Sequence, residues 1–244
     1  MYRIPGSGGR HALHGFVFGA PWRVVDWGAD DGGTWVRTRI ASSDLHLPGD
    51  AYPGRWILEV VHRLEPEGHR HRVRVENVGF EPFPFGYGWH PYFRAPLAAP
   101  GTRGACIVRV PARARWELTA ALLPTGRRLE VSGPYDLRTG SRLADKSYDD
   151  PFTLLEREPD GASAAELIDP QAHLMVRVRA SRDFEHWVVY SPRTMPGVCL
   201  EPYTCVPDAV NLAARGVPTG LRELEPDQSW EAEVTVCLAR WSGA

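Results

Sequence analysis

The sequence predicts an all-β protein, a large antiparallel β-sandwich built as one domain over residues 1–244. Two observations carry this. Short runs of alternating apolar and polar residues recur along the chain, separated by turn formers that 24 glycines and 22 prolines supply. No segment long enough for three helical turns shows a convincing amphipathic period. A chain of 244 residues also buries roughly 75% of its unfolded surface, so one core suffices without disulfide or metal staples.

Residues 1–16 are turn-rich and bring His11 and His14 ahead of Gly15. Residues 22–26 and 34–40 read as short strands around a turn at 28–33. Residues 56–64 have period two, with Trp56, Leu58, Val60, His62 and Leu64 on one face and Ile57, Glu59, Val61 and Arg63 on the other. A turn at Glu67-Gly68 and a second alternating run over 70–78 complete a hairpin. Strands are expected at 105–111 and 114–118. The polar passage holding Pro124, Gly126, Gly133, Pro134 and Gly140 reads as a long loop, broken by Tyr148-Asp149-Asp150-Pro151-Phe152 ahead of 153–156. Runs at 174–180, 186–190, 198–201 and 230–238 complete the strands, and 206–215 offers a short helical turn.

Composition narrows the function classes. Net charge is −2, Lys146 is the only lysine, and the arginines are spread along the chain. That distribution excludes the concentrated basic patch of a nucleic-acid binder. Cys106, Cys199, Cys205 and Cys237 form no CxxC or CxxH pair, which predicts reduced thiols. With no apolar leader and no long apolar run, the expectation is a soluble cytoplasmic protein without membrane partners. The sequence sets no oligomeric state.

The hairpin feeds directly into GFEPFPFGYGWHPYFR, residues 79–94. Glycine and proline breaks exclude a regular helix here, and the expected product is a rigid, aromatic-walled loop presenting His90. Two other segments set reactive groups beside such breaks: His14 in HALHG and Glu201 in CLEPYTCVPDAVN. A carboxylate closing an apolar strand is costly unless paired or used. Asp149 and Asp150 form a fourth segment.

Two chemistries fit this set. His90 and Glu201 can act as general acid and base on a neutral, hydroxyl-rich substrate, each worth roughly 10² to 10⁴ in rate. Alternatively His14, His90 and Glu201 make a two-His, one-carboxylate metal site. Of the remaining histidines, His62 reads as a satisfied core residue. His69 and His71 read as solvated at a hairpin turn, and His46 and His173 as surface or loop residues.

GYGWHPYF around His90, LHG around His14, YDDPF around Asp149 and EPYTCVPDAVN around Glu201 resemble the aldose 1-epimerases (mutarotases), in that family's order. The closing LRELEPDQSWEAEV agrees as well. The resemblance implies a galactose mutarotase-like supersandwich with a sugar site on one sheet face. It implies no metal and no cofactor, and interconversion of the α and β anomers of a free hexose. Carried over by residue, Glu201 is the base at the anomeric hydroxyl and His90 the acid at the ring oxygen. His14 bonds the sugar nearby, and Asp149, rather than Asp150, holds a hydroxyl. Family members have opening strands and a sugar-binding arginine before the LHG motif. This sequence begins about where that stretch would end, so a sandwich lacking its opening strands is expected, and Arg3 lies too near His14 to replace that arginine. Hexose-6-phosphate 1-epimerase and a non-catalytic carbohydrate-binding module are the alternatives. The first requires clustered arginines, and none lies near the motifs.

Overall fold

The computed structural model of the protein describes residues 14–45 and 52–243. The expectations for Arg3, His11 and His46 fall outside them. In chain order the strands are β1 (Arg23–Asp30), β2 (Gly33–Ala41), β3 (Trp56–Glu65), β4 (Gly68–Asn77), β5 (Phe83–Phe85), β6 (Tyr92–Arg94), β7 (Ile107–Arg109), β8 (Ala112–Leu118) and β9 (Pro124–Glu130). They continue as β10 (Ser141–Arg142), β11 (Asp149–Leu155), β12 (Ser163–Asp169), β13 (Leu174–Ala180), β14 (His186–Tyr190), β15 (Gly197–Tyr203), β16 (Arg222–Leu224) and β17 (Ser229–Arg240). One short helix, α1 (Ala209–Ala213), precedes β16. The chain divides into two compact units, Met1–Phe85 with Glu223–Glu233, and Gly86–Arg222 with Val234–Ala244.

In the first unit β1 to β4 form an antiparallel meander. The alternation of β3 sets its register: Trp56, Leu58 and Val60 are buried, and Leu58 and Val60 stand opposite the buried Val75 and Val73. Gly28, expected to open the first turn, instead sits within β1 opposite Trp35. A Cβ there would lie 3.1 Å from the Trp35 ring, so the glycine admits the indole and the strand runs on to Asp30. His71 is buried and His69 half-buried, rather than both being solvated. The hairpin sets His71 opposite His62 and His69 opposite Leu64, so the three imidazoles cover one another. His62 Nδ1 lies 3.0 Å from His69 Nε2, and His71 is buried at 2% exposure. His62, expected in the core, is half-buried in this cluster.

The second unit holds two antiparallel sheets. One runs from the last residues of β17 through β13, β12 and β7 to β10; the other has the order β6-β15-β14-β11-β8-β9. Phe152, Trp187, Val189, Val198 and Leu200 are fully buried on the second sheet, as are Val108, Ala165, Leu167 and Val178 on the first. Trp187 Nε1 on β14 donates to Ser163 Oγ on β12 at 3.0 Å, which satisfies a buried indole between the sheets. Trp116 packs with Val206, Leu212 and Val217, so the short helix serves as a cap on β8. The long loop expected between β8 and β11 contains β9: Pro124 begins the strand, where a missing N–H is tolerated, and a bulge near Trp116 absorbs the irregular register. Strand β12, SAAELID, was not anticipated either, because alanine and glutamate carry little strand signal.

Candidate active site

Strand β15 organises the site. It continues two residues beyond Glu201, so the carboxylate lies within the strand rather than at its end. Cys199, Glu201 and Tyr203 alternate onto one face, while Val198 and Leu200 point into the core. On one side β15 pairs with β14, setting Tyr190 opposite Cys199 and Val188 opposite Glu201; β14 in turn sets Asp149 of β11 opposite Tyr190.

On the other side lies the aromatic stretch. β6 pairs Tyr92 with Cys199, and a bridge pairs Gly88 with Tyr203. Between these two fixed points His90 falls opposite Glu201. The intervening chain is pinned by Trp89 N to Pro202 O at 3.2 Å, Thr204 N to Tyr87 O at 2.9 Å and Tyr87 N to Thr204 Oγ1 at 2.8 Å. Gly88 is required because the Tyr203 ring lies on its backbone: a Cβ at 88 would come within 2.7 Å of it. The expected rigid loop is therefore an interrupted strand that delivers one imidazole to one carboxylate.

His90 Nε2 is 3.3 Å from Glu201 Oε1. The His90 ring stacks on Tyr92 at 5.1 Å and 14° and meets Tyr190 edge-on at 6.5 Å. Glu201 is 1% exposed, and its Oε1 accepts no well-aligned hydrogen bond. Burial pushes the Glu201 carboxyl up to about 8, opposed by a hydrogen bond from Tyr203 and reinforced by the negative charge of Asp149. Burial likewise pushes the Cys199 thiol up to about 12, with Glu201 adding to the shift.

Asp149 is exposed and shares the Glu201 face, whereas Asp150 turns into the sheet toward Arg115, 3.7 Å away. The structure thus brings His90, Glu201 and Asp149 together in the second unit. His14 belongs to the first unit, where it is exposed on a turn with φ 61° and meets Phe18 edge-on at 5.6 Å. Tyr203, Tyr92 and Cys199 were missed as site residues. Period two counted from Glu201 along β15 would have found Tyr203 and Cys199, since both are two residues away.

Comparison with known proteins places the fold and the family. The aldose 1-epimerase family model matches residues 1–237. A galactose mutarotase-like protein from Clostridium acetobutylicum superposes with a TM-score of 0.80 at 21% identity, covering 93% of this chain and 69% of that one. A protein from Synechocystis sp. PCC 6803 gives 0.74 at 22% identity, over 98% of this chain and 73% of the other. A galactose 1-epimerase from Lactobacillus acidophilus NCFM gives 0.66 at 18% identity, over 90% and 67%. These likenesses show the fold, nearly all β with large antiparallel sheets. From the match along almost its whole length, the chain belongs to the aldose 1-epimerase family.

Proposed function

We propose that the protein interconverts the α and β anomers of a free hexose, with Glu201 as base and His90 as acid. The observation that carries this is the buried carboxylate with a partly exposed imidazole 3.3 Å away. Near neutral pH the raised Glu201 carboxyl keeps a proton, and His90 Nε2 stands 3.3 Å away to receive it. The carboxylate–imidazolium form is the reactive one, and a sugar hydroxyl donating to Oε1 favours it.

Glu201 removes the proton from the anomeric hydroxyl. The C1–O bond to the ring oxygen breaks as C1 becomes a carbonyl, and His90 protonates that ring oxygen. After rotation about C1–C2 the same steps run backward on the other carbonyl face, so the protons are returned. Asp149 holds a hydroxyl. The part of His14 in binding rests on the family resemblance.

A neutral sugar fits better than a sugar phosphate. The groups that shift Glu201 are Tyr203 and Asp149, with no guanidinium among them. A hollow of about 340 Å³ in the second unit gathers Arg109, Arg138, Arg157 and Arg177, but Arg109, Arg138 and Arg177 face Glu166, Asp136 and Glu158, and Arg157 donates to the carbonyls of Gly161 and Phe184. Calorimetry on Glu201→Gln separates an enzyme from a binding module. The variant is expected to bind hexose while losing turnover, and wild type is expected to favour glucose over glucose 6-phosphate. Equal turnover of wild type and variant, or preference for the phosphate, contradicts the reading.

A further inference from the structure

The same sheet face carries a side chain that the proton transfers do not use. Cys199 Sγ, a ring nitrogen of His90 and a carboxylate oxygen of Glu201 all lie within 4.8 Å of one another. Register fixes this grouping: Cys199 and Glu201 are two residues apart on β15, and His90 falls opposite Glu201 between the Tyr92 and Gly88 pairings.

The distances suit a small tetrahedral ion. His90 Nε2 and Glu201 Oε1 are 3.3 Å apart, close to the edge between two ligands bound to zinc at about 2.0 to 2.1 Å. Cys199 Sγ, within 4.8 Å of both, is the candidate for a third position. Glu201 Oε1 is buried, and His90 Nε2 at 3.3 Å makes no well-aligned hydrogen bond to it, an arrangement that a cation between the two would relieve. Imidazole, thiolate and carboxylate together select zinc-class ions over magnesium or calcium, which call for oxygen donors. Three protein ligands leave a fourth position open to water.

We propose that His90, Cys199 and Glu201 reversibly capture a zinc-class divalent cation, which occupies the reacting end of the sugar site and silences it. Capture releases the Cys199 thiol proton and the proton held by the His90–Glu201 pair to solvent, and no electron moves. The silencing half rests on the epimerase reading above; the capture half does not.

Cobalt(II) serves as the spectroscopic probe on chelator-treated full-length protein. The expected result is one equivalent bound, with tetrahedral visible bands and a thiolate-to-cobalt charge-transfer band, both displaced by zinc. Cys199→Ser, checked for folding by its melt, is expected to lose the charge-transfer band and at least tenfold in zinc affinity. In wild type, zinc is expected to slow anomer equilibration competitively with hexose, each rate being read against the same variant's metal-free rate. Absence of the band in wild type, or its persistence in Cys199→Ser at another of the four cysteines, overturns capture. Stoichiometric capture with no competition by hexose overturns silencing. If the protein accelerates no equilibration at all, the epimerase reading fails while the cobalt spectra still decide capture.

Discussion

Glu201 is the residue on which the chemistry turns, and its environment makes a specific demand on pH. Burial holds its proton up to about 8, and His90 is the neighbour able to take it. The reactive state carries one proton on the pair, so kcat/KM is expected to fall as pH rises through about 8 and that proton is lost. A profile that instead climbs through this range would mean that Glu201 works as an isolated base. Both residues were legible in the sequence, because a histidine and a glutamate between proline and glycine breaks are conspicuous. Cys199 and Tyr203 were not: each looks like an ordinary strand residue until the register is known.

At the level of elements, the interrupted strand from Gly86 to Arg94 positions His90 through its pairing with β15. Gly88→Ala tests that dependence, since the added Cβ would sit 2.7 Å from the Tyr203 ring and displace the hydroxyl that bonds Glu201. Activity is expected to drop at least tenfold with a smaller change in melting temperature; unchanged kcat would show that the Gly88–Tyr203 bridge does not position the carboxylate. Strands with clean alternation, such as β3 and β17, were readable to within a residue or two. β9 and β12 were not, one hidden by Pro124 and Gly126, the other by an alanine-rich composition. The histidine cluster of β3 and β4 was misread because solvation at a turn depends on cross-strand neighbours, which local sequence does not specify.

Across the whole molecule, a functional carboxylate held neutral by burial weakens the fold as pH rises. Glu201 binds its proton more tightly folded than unfolded, so its contribution is complete below the ordinary carboxylate value of 4.5 and is lost as pH rises toward about 8. Each unit of that interval is worth about 1.4 kcal/mol, and a few kcal/mol in total is the scale to look for. Glu201→Gln removes the titration while keeping the shape. Its melting temperature is expected to gain on wild type by several degrees between pH 5 and pH 9, at about 2 to 4 °C per kcal/mol for a chain of this size. A difference between the two proteins that does not change with pH would contradict the raised value. No helix among the described residues is long and apolar enough to cross a membrane.

Anomer equilibration followed by polarimetry reads the action of Glu201 and His90 on a free hexose directly. Fresh α-glucose and α-galactose are each dissolved with wild type, with Glu201→Gln and with no protein, at a pH where spontaneous mutarotation is slow. Wild type is expected to accelerate the approach to equilibrium, and Glu201→Gln to lose roughly 10² to 10⁴ of that acceleration. Equal rates in all three samples, with both proteins folded, would contradict the assignment of Glu201 and His90 as an acid–base pair for a free hexose.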